Sequence, residues 1–268
     1  MSFDFHHNKP EYFQQQYINA KNYVVPFIKE TLPALEGLKV MEIGCAEGGV
    51  LKAFTDLNCE CTGIELSQSK ITNANLFMAE ELAAGKIRFI CKNIYDVDFQ
   101  QEFSAYFDLI ILKDTIEHIP DQNQLIGKLK ILLKHEGQVF FGFPPWLMPW
   151  GGHQQICKSK FLMLLPYFHL LPKNIYKGIL KLFGEEDYKI KDLIEIKETG
   201  INTTQFEQYV HKNGYQVVNK RFYLINPIYL YKFKVKPIKQ WKLLENIPYL
   251  RDLISTTVYY TIKIKGDI

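Results

Sequence analysis

The apolar run Leu38–Ile43 stops at a small-residue turn, Gly44-Cys45-Ala46-Glu47-Gly48-Gly49, and a helical pattern follows. A second short apolar run, Cys61–Glu65, ends in an acidic residue. A buried strand that stops at such a turn presents backbone N–H groups at the mouth of a sheet. A carboxylate at the tip of the next strand has two acceptor oxygens for the hydroxyls of a ribose. Together they describe a pocket for an adenosine-containing ligand at the carboxyl edge of a parallel sheet.

The turn narrows the ligand. A dinucleotide fingerprint needs Gly-x-Gly-x-x-Gly, and Ala46 stands at its second glycine. No Gly-Lys-Ser/Thr follows, which excludes a phosphate-binding P-loop. Glu42 lies in the strand end, where a carboxylate repels a pyrophosphate and suits a ligand carrying an ammonium and a sulfonium. The pattern resembles the first motif of class I S-adenosylmethionine-dependent methyltransferases, with Ala46 replacing the middle glycine. Three later segments extend the resemblance. RFICKNIYDVDF resembles the third-strand motif, with Asn93 at the acidic position that meets the adenine amino group. FDLIILKDTIEHIPD resembles the fourth-strand motif, and EGQVFFGFP the fifth strand. The resemblance covers about residues 24–144 and implies S-adenosylmethionine as cofactor. It implies that Glu42, Gly44, Cys45, Ala46, Gly48, Glu65, Leu66, Asn93, Ile94 and Lys113 hold it. The implied fold is a Rossmann-like seven-stranded α/β sheet, mostly parallel, with the last strand antiparallel.

The alternation of strands and helices supports that fold. Strands are expected at residues 38–43, 61–65, 87–91, 107–112, 138–143, 216–225 and 256–265. A helix is expected from Pro10 to about Thr31. Ser67 is expected to cap a helix running to Ala84, and Asp121 one running to about Lys134. Thr204–Glu207 has the form of a capping box. The Pro/Gly/Trp-rich break at Pro144 opens an insertion to about Gly200, read as a lid that binds the acceptor. A smaller insertion spans about residues 226–253. The division is therefore 1–35 helical, 36–143 cofactor-binding, 144–200 lid, and 201–268 completing the sheet.

Asp114, Glu117 and His118 are spaced to share one face of a helical turn. The segment resembles the Glu-x-x-Glu-His of ubiquinone-biosynthesis-type O-methyltransferases and of small-RNA 2′-O-methyltransferases. That resemblance implies a divalent metal, Mg²⁺, Mn²⁺ or Zn²⁺, on Asp114, Glu117 and His118; His153, brought in by the lid, is a candidate fourth ligand. Glu-His pairs without metal are also widespread in class I methyltransferases. In that case His118 or His153 is the catalytic base for an acceptor hydroxyl. His169 reads as a packed lid histidine; His135 and the pair His6/His7 read as solvated.

Composition bounds the rest. The 268 residues are 47% hydrophobic and 23% charged, an ordinary globular balance. A net charge of +3 gives no argument for nucleic acid. The lysines of KFKVK, expected on one strand face, read as a solvated edge. Five cysteines, odd in number and mostly in expected strands, suit reduced thiols in the cytoplasm. The N-terminus lacks the pattern of a secretory signal, and no apolar stretch reaches membrane-span length. LMLLPYFHLLP could rest on a membrane surface but lacks a clean charged face. The expected activity is O-methylation of a small-molecule, glycan or lipid-linked acceptor. N-methylation stays open, as do two rivals: a nicotinamide-dependent oxidoreductase and a module that binds the cofactor without turnover.

Overall fold

The structure is a computed structural model and describes residues 8–266; His6 and His7 lie outside the described residues. Eight strands form one sheet: β1 (Lys39–Ile43), β2 (Glu60–Ile64), β3 (Ile87–Ile90), β4 (Phe107–Lys113), β5 (Leu133–Phe143), β6 (Tyr215–Ile225), β7 (Ile238–Lys239) and β8 (Thr257–Ile264). Their order is β3-β2-β1-β4-β5-β8-β6-β7. The first five pair in parallel, and β8 runs antiparallel to both neighbours. The fold class and the antiparallel last strand are as expected. The count is eight rather than seven, because the second insertion adds the short edge strand β7, antiparallel to β6.

Strand alternation divides the core into two layers. On one face Met41, Ile43, Ile110, Leu112, Phe141 and Phe143 pack with Leu125, Leu129, Phe206 and Val210 of two covering helices. On the other, Val40, Leu109, Ile111 and Phe140 pack with Phe27, Leu51 and Phe54. Each fully buried side chain of this size contributes about 1.5–3 kcal/mol of burial. Phe27 also meets the rings of Phe140 at 5.8 Å and Tyr259 at 5.6 Å, edge to face.

The N-terminal helical stretch runs from Lys9 to Lys29, with Asn8 capping the N–H of Glu11. It widens to a π-helix over Ala20–Val24. Pro26 brings no N–H and its ring crowds the carbonyl four residues back, so a wider turn lets the helix continue. Three expected details differ. The helix after β2 breaks at Met78 into Gln68–Phe77 and Ala79–Ala83. The cap of the helix Thr203–Lys212 is Asn202, whose Oδ1 accepts the N–H of Gln205 at 2.8 Å. Glu207 turns instead to Arg251 and Tyr260. The KFKVK segment is not a strand, since the helix Tyr229–Phe233 ends at Lys234 in the left-handed region, φ 60°.

The lid residues 144–200 hold helices Lys160–Leu164, Lys173–Leu182 and Asp187–Thr199. They share a private core that includes Leu162, Phe168, Tyr176, Leu180 and Leu193. His169 is fully buried there. Its Nε2 lies 2.7 Å from the carbonyl of Trp146, and burial pushes its pKa down to about 4. Among the described residues no helix is long and apolar enough to cross a membrane.

Candidate active site

The carboxyl ends of β1, β2 and β4 converge on the turn after β1. Gly44 donates its N–H to the Ile64 carbonyl at 2.8 Å. Its backbone is left-handed, φ 71°, and a Cβ there would lie 2.8 Å from the Thr115 side chain, so only glycine fits. At Gly49 a Cβ would lie 2.6 Å from the Phe13 carbonyl; the N-terminal helix seats directly on the loop. Ala46, at the position of the family's middle glycine, adopts φ 45°, so the alanine keeps the left-handed bend at some steric cost.

Glu42 is buried and its Oε2 has no hydrogen-bond partner among the described residues. Burial holds its carboxyl well above the usual range, partly offset by Lys113. Cys45 is buried and Gly48 is left-handed, φ 85°. Glu65 sits at the tip of β2 with most of its carboxylate already engaged. Its Oε1 accepts the N–H groups of Leu66 at 2.9 Å and Ser67 at 3.1 Å, and its Oε2 that of Ala46 at 3.3 Å. Ser67 makes no side-chain cap bond to the helix Gln68–Phe77, and Glu65 takes the two N–H groups just before it. Leu66 is exposed and Ile94 lies in the core. Asn93 is exposed, and its Oδ1 accepts the N–H of Tyr95 at 3.0 Å. The orphaned Glu42 oxygen and the glycine cradle are a chemical fit to a ligand with a methionine-like ammonium.

At the end of β4 the geometry departs from the helical turn expected of Asp114, Glu117 and His118. Asp114 is left-handed, φ 53°, and only Ile116–His118 form a turn of 3-10 helix. Asp114 is thereby turned toward Lys113, whose Nζ is 2.5 Å from its Oδ2 and 3.0 Å from Gln16 Oε1. Burial raises the Asp114 pKa, but Lys113, Lys232 and His153 outweigh it and hold the carboxyl below its ordinary value. The group that does converge is Glu117, His118 and His153, with one potential ligand atom of each within 4.8 Å of the others. The two imidazole rings are 5.0 Å apart. Glu117 is buried, its Oε2 has no hydrogen-bond partner among the described residues, and burial raises its pKa well above the ordinary value. Burial also lowers the His118 pKa, which the Asp114 charge only partly offsets. The lid is tied to this turn: Thr199 Oγ1 donates to the Glu117 carbonyl at 2.6 Å, and Gln122 Nε2 to the Thr199 carbonyl at 2.6 Å.

Four residues not anticipated from sequence surround Asp114. Gln16 bridges Lys113 and the Tyr12 hydroxyl, which accepts from its Nε2 at 2.9 Å. The Lys232 ammonium stands 5.6 Å from the Tyr12 ring. Burial, and then the charge of Asp114, raise the pKa of both Tyr12 and Tyr229. Buried glutamines on an amphipathic first helix were a readable signal; nothing local marks Tyr229 or Lys232.

Residues 14–163, more than half of the chain, match the methyltransferase domain family. The chain belongs to that family. Its strand order and antiparallel last strand are those of the class I S-adenosylmethionine-dependent methyltransferases. The chain is similar to the ubiquinone biosynthesis O-methyltransferase of Idiomarina loihiensis, 29% identical over 179 residues, covering 66% of this chain and 68% of that one. It is 28% identical over 114 residues to the enzyme of the same name from Leptothrix cholodnii, covering 42% and 47%. The chain thus spans less than half of the Leptothrix relative. In fold it is similar to the geranyl diphosphate C-methyltransferase of Streptomyces coelicolor A3(2), with a TM-score of 0.55 at 12% identity over 90% of this chain and 80% of that one.

Proposed function

We propose that this methyltransferase transfers a methyl group to a hydroxyl of a small-molecule, glycan or lipid-linked acceptor. The observation that supports O-methylation is the convergence of Glu117, His118 and His153 beside the carboxyl end of β4. A hydroxyl, unlike a free amine, needs a proton acceptor at the moment of attack. The two ubiquinone biosynthesis relatives carry O-methylation in their names, and residue by residue the Glu-His pair stands here as Glu117-His118.

In this reading Glu42, Gly44, Cys45, Ala46 and Gly48 hold the methionine part of the cofactor and Lys113 lies beside it. Glu65 and Leu66 hold the ribose, and Asn93 and Ile94 the adenine. S-adenosylmethionine supplies a methyl carbon already activated on a sulfonium. The acceptor oxygen forms a bond to that carbon as the carbon–sulfur bond breaks, and the electron pair stays on sulfur. His118, its pKa lowered by partial desolvation, takes the hydroxyl proton, and His153 stands beside it as the alternate. The chain's part is positioning and exclusion of water.

A divalent cation fits the same three side chains: a buried carboxylate with an orphaned oxygen and two imidazoles. When bound it supplies a Lewis acid for the acceptor hydroxyl. Asp114 is engaged by Lys113 and is left out of that ligand set. The test is methyl transfer before and after EDTA, then with Mg²⁺, Mn²⁺ or Zn²⁺ added back. Loss and rescue, abolished in Glu117→Ala, supports the cation. Indifference to EDTA, with activity rising with pH through the imidazole range, supports His118 as base. Full activity of the His118→Ala/His153→Ala double variant in EDTA would refute both and favour an amine acceptor.

A further inference from the structure

The second insertion, residues 226–253, carries an exposed surface that the reaction does not use. Gln240 fastens it from below. Its side chain is buried, and its Nε2 donates to the Arg251 carbonyl at 2.9 Å and to Ser255 Oγ at 3.0 Å. Its N–H donates to the Phe222 carbonyl of β6 at 2.9 Å. The stretch from Gln240 to Arg251 is thus closed at both ends, yet large apolar side chains around it face water. Leu243 is 86% exposed and Trp241 67%; Val235, Ile238, Ile247 and Tyr249 are exposed as well. The surface continues onto the lid. Tyr167 Oη donates to the Leu253 carbonyl at 3.0 Å, and Trp150 Nε1 to the carbonyl of Leu164 at 3.2 Å; the Leu164 side chain is 66% exposed. Leu162, Phe168 and His169 of the same lid segment are turned inward.

Single exposed apolar residues are ordinary, but a run of them between Val235 and Tyr249 marks an interaction surface. Its charge says what it meets. Lys234, Lys236, Lys239 and Lys242 are exposed among the apolar residues, and none makes an ion pair among the described residues. Lys239 stands within reach of the Glu30 charge. Glu245 is the one acid between Phe233 and Leu250. Lysines that merely guard an edge strand do not need this apolar company. A second copy of the chain would set the same lysines against each other, at the cost of like-charge repulsion. A folded protein partner needs a surface it can match in shape, whereas Trp241 and Leu243 project singly. A bilayer interface needs no matched mould. Its headgroup layer takes tryptophan and tyrosine rings, its acyl boundary takes leucine and isoleucine, and its anionic headgroups take lysines.

We propose that this face, from Val235 to Leu250 with Leu164 and Tyr167 of the lid, seats the enzyme on a bilayer that carries anionic lipid. The same insertion brings Tyr229 and Lys232 toward Asp114 at the candidate site, so the membrane-facing surface and the site share one element. The inference goes beyond the O-methylation reading and does not depend on which atom is methylated.

The test is flotation of the full chain with extruded vesicles over a series of lipid concentrations. One set is phosphatidylcholine alone; the other is two parts phosphatidylcholine to one part phosphatidylglycerol. The chain is expected to bind the anionic set about tenfold or more tighter than the neutral set, and about 0.5 M NaCl should remove most of that difference. Lys239→Gln/Lys242→Gln should weaken anionic binding about tenfold or more, since each lysine near such a surface is worth roughly fivefold. Trp241→Ala/Leu243→Ala should weaken it about tenfold or more through lost apolar burial. Leu76→Ala/Val97→Ala removes two exposed apolar side chains from the helices before and after β3, at the opposite edge of the sheet, and should change nothing. Unchanged S-adenosylhomocysteine affinity reports that each variant is folded. No binding to anionic vesicles, equal binding to both sets, or equal losses in the Trp241/Leu243 and Leu76/Val97 pairs would overturn the proposal. So would light scattering that shows a lipid-free dimer lost in Trp241→Ala/Leu243→Ala, because the face would then belong to a second copy. No methyl transfer enters this measurement, so its failure leaves the O-methylation reading intact. Failure of the EDTA and base test leaves the vesicle result standing.

Discussion

Replacing Glu65 tests the cofactor pocket most directly, because the structure limits how many bonds its carboxylate can still make. A carboxylate offers about four acceptor positions. Two on Oε1 are taken by the N–H groups of Leu66 and Ser67, and one on Oε2 by that of Ala46. Lys70 Nζ stands 3.5 Å from the same Oε2, an electrostatic contact rather than a firm bond. One strong position remains, so Glu65 can hold one ribose hydroxyl rather than both. A hydrogen bond to a charged group is worth about 1.5–3 kcal/mol, which is roughly a 10- to 150-fold change in affinity. Isothermal titration with S-adenosylhomocysteine should therefore show Glu65→Ala weakened by that range or more, since the Ala46 loop also loses its brace. The 2′-deoxy and 3′-deoxy analogues should separate. One should lose affinity against the unaltered chain and lose no more in Glu65→Ala; the other should lose little against the unaltered chain. Unchanged binding in a folded Glu65→Ala chain would remove Glu65 from the site. Equal losses for both analogues would refute the lone-pair count.

Two further outcomes concern acid sensitivity. Burial raises the pKa of Glu207, but Arg251 at 2.8 Å, together with Lys220 and the Tyr260 hydroxyl, brings it below its ordinary 4.5. A carboxyl depressed on folding contributes stability that is present above its unfolded value and lost as pH falls through the folded one. Urea midpoints should then drop below about pH 4.5 and drop less in Glu207→Gln. Glu207→Ala leaves the buried Arg251 with Asp252 at 3.9 Å as its remaining acidic neighbour among the described residues and should cost about 3 kcal/mol at neutral pH, the low end for breaking a buried pair. His169 is pushed down to about 4, so between there and about 6.5 the unfolded chain binds the extra proton. Its contribution, at most about 3 kcal/mol, should be present above pH 6.5 and fade toward pH 4. Amide exchange in residues 144–200 should accelerate over that window and stay flat in His169→Asn. A flat profile in the unaltered chain would mean that the lid opens without exposing His169.

The parallel half of the sheet was legible because it is written in local patterns. Each of β1, β2, β4 and β5 is an apolar run bounded by turn residues, and the Gly44–Gly49 loop passes β1 into the helix Gly49–Thr55 that leads on to β2. What was not legible is pairing made through space. β7 is only two exposed residues, Ile238 and Lys239, too short for any alternation to mark. The capping box at Thr204 failed because Glu207 had a better partner far along the chain, the buried guanidinium of Arg251. A charge-assisted bond in the interior outweighs the neutral bond of a cap. Asn202, one residue before the helix, took the cap at no such cost.

The site divides along the same line. Glu117 and His118 are neighbours in sequence, and their place just after β4 follows from the motif alone. Asp114 has the right spacing for a helical face, yet β4 does not pass into a helix there. Its backbone bonds onward to Gly142 at 2.7 Å, extending the strand pairing before it bends at φ 53°. The bend carries the carboxylate to Lys113 rather than to Glu117. The third member of the convergent group comes from beyond β5. His153 meets His118 where the lid docks on this turn, a docking that includes the Thr199 bond to the Glu117 carbonyl. No pattern within the lid states that docking. It includes a hydroxyl at the end of a helix bonded to a backbone oxygen in a 3-10 turn, and either is unremarkable until the chain is folded. Thr199→Val should therefore loosen the pairing of His118 with His153 while sparing S-adenosylhomocysteine affinity, since the hydrogen bonds of Thr199 go to Glu117, Gln122, Glu195 and Ile196 and to none of the residues proposed to hold the cofactor. If histidine NMR shifts of both rings stay unchanged in that variant, the lid is held at the site by something other than this bond.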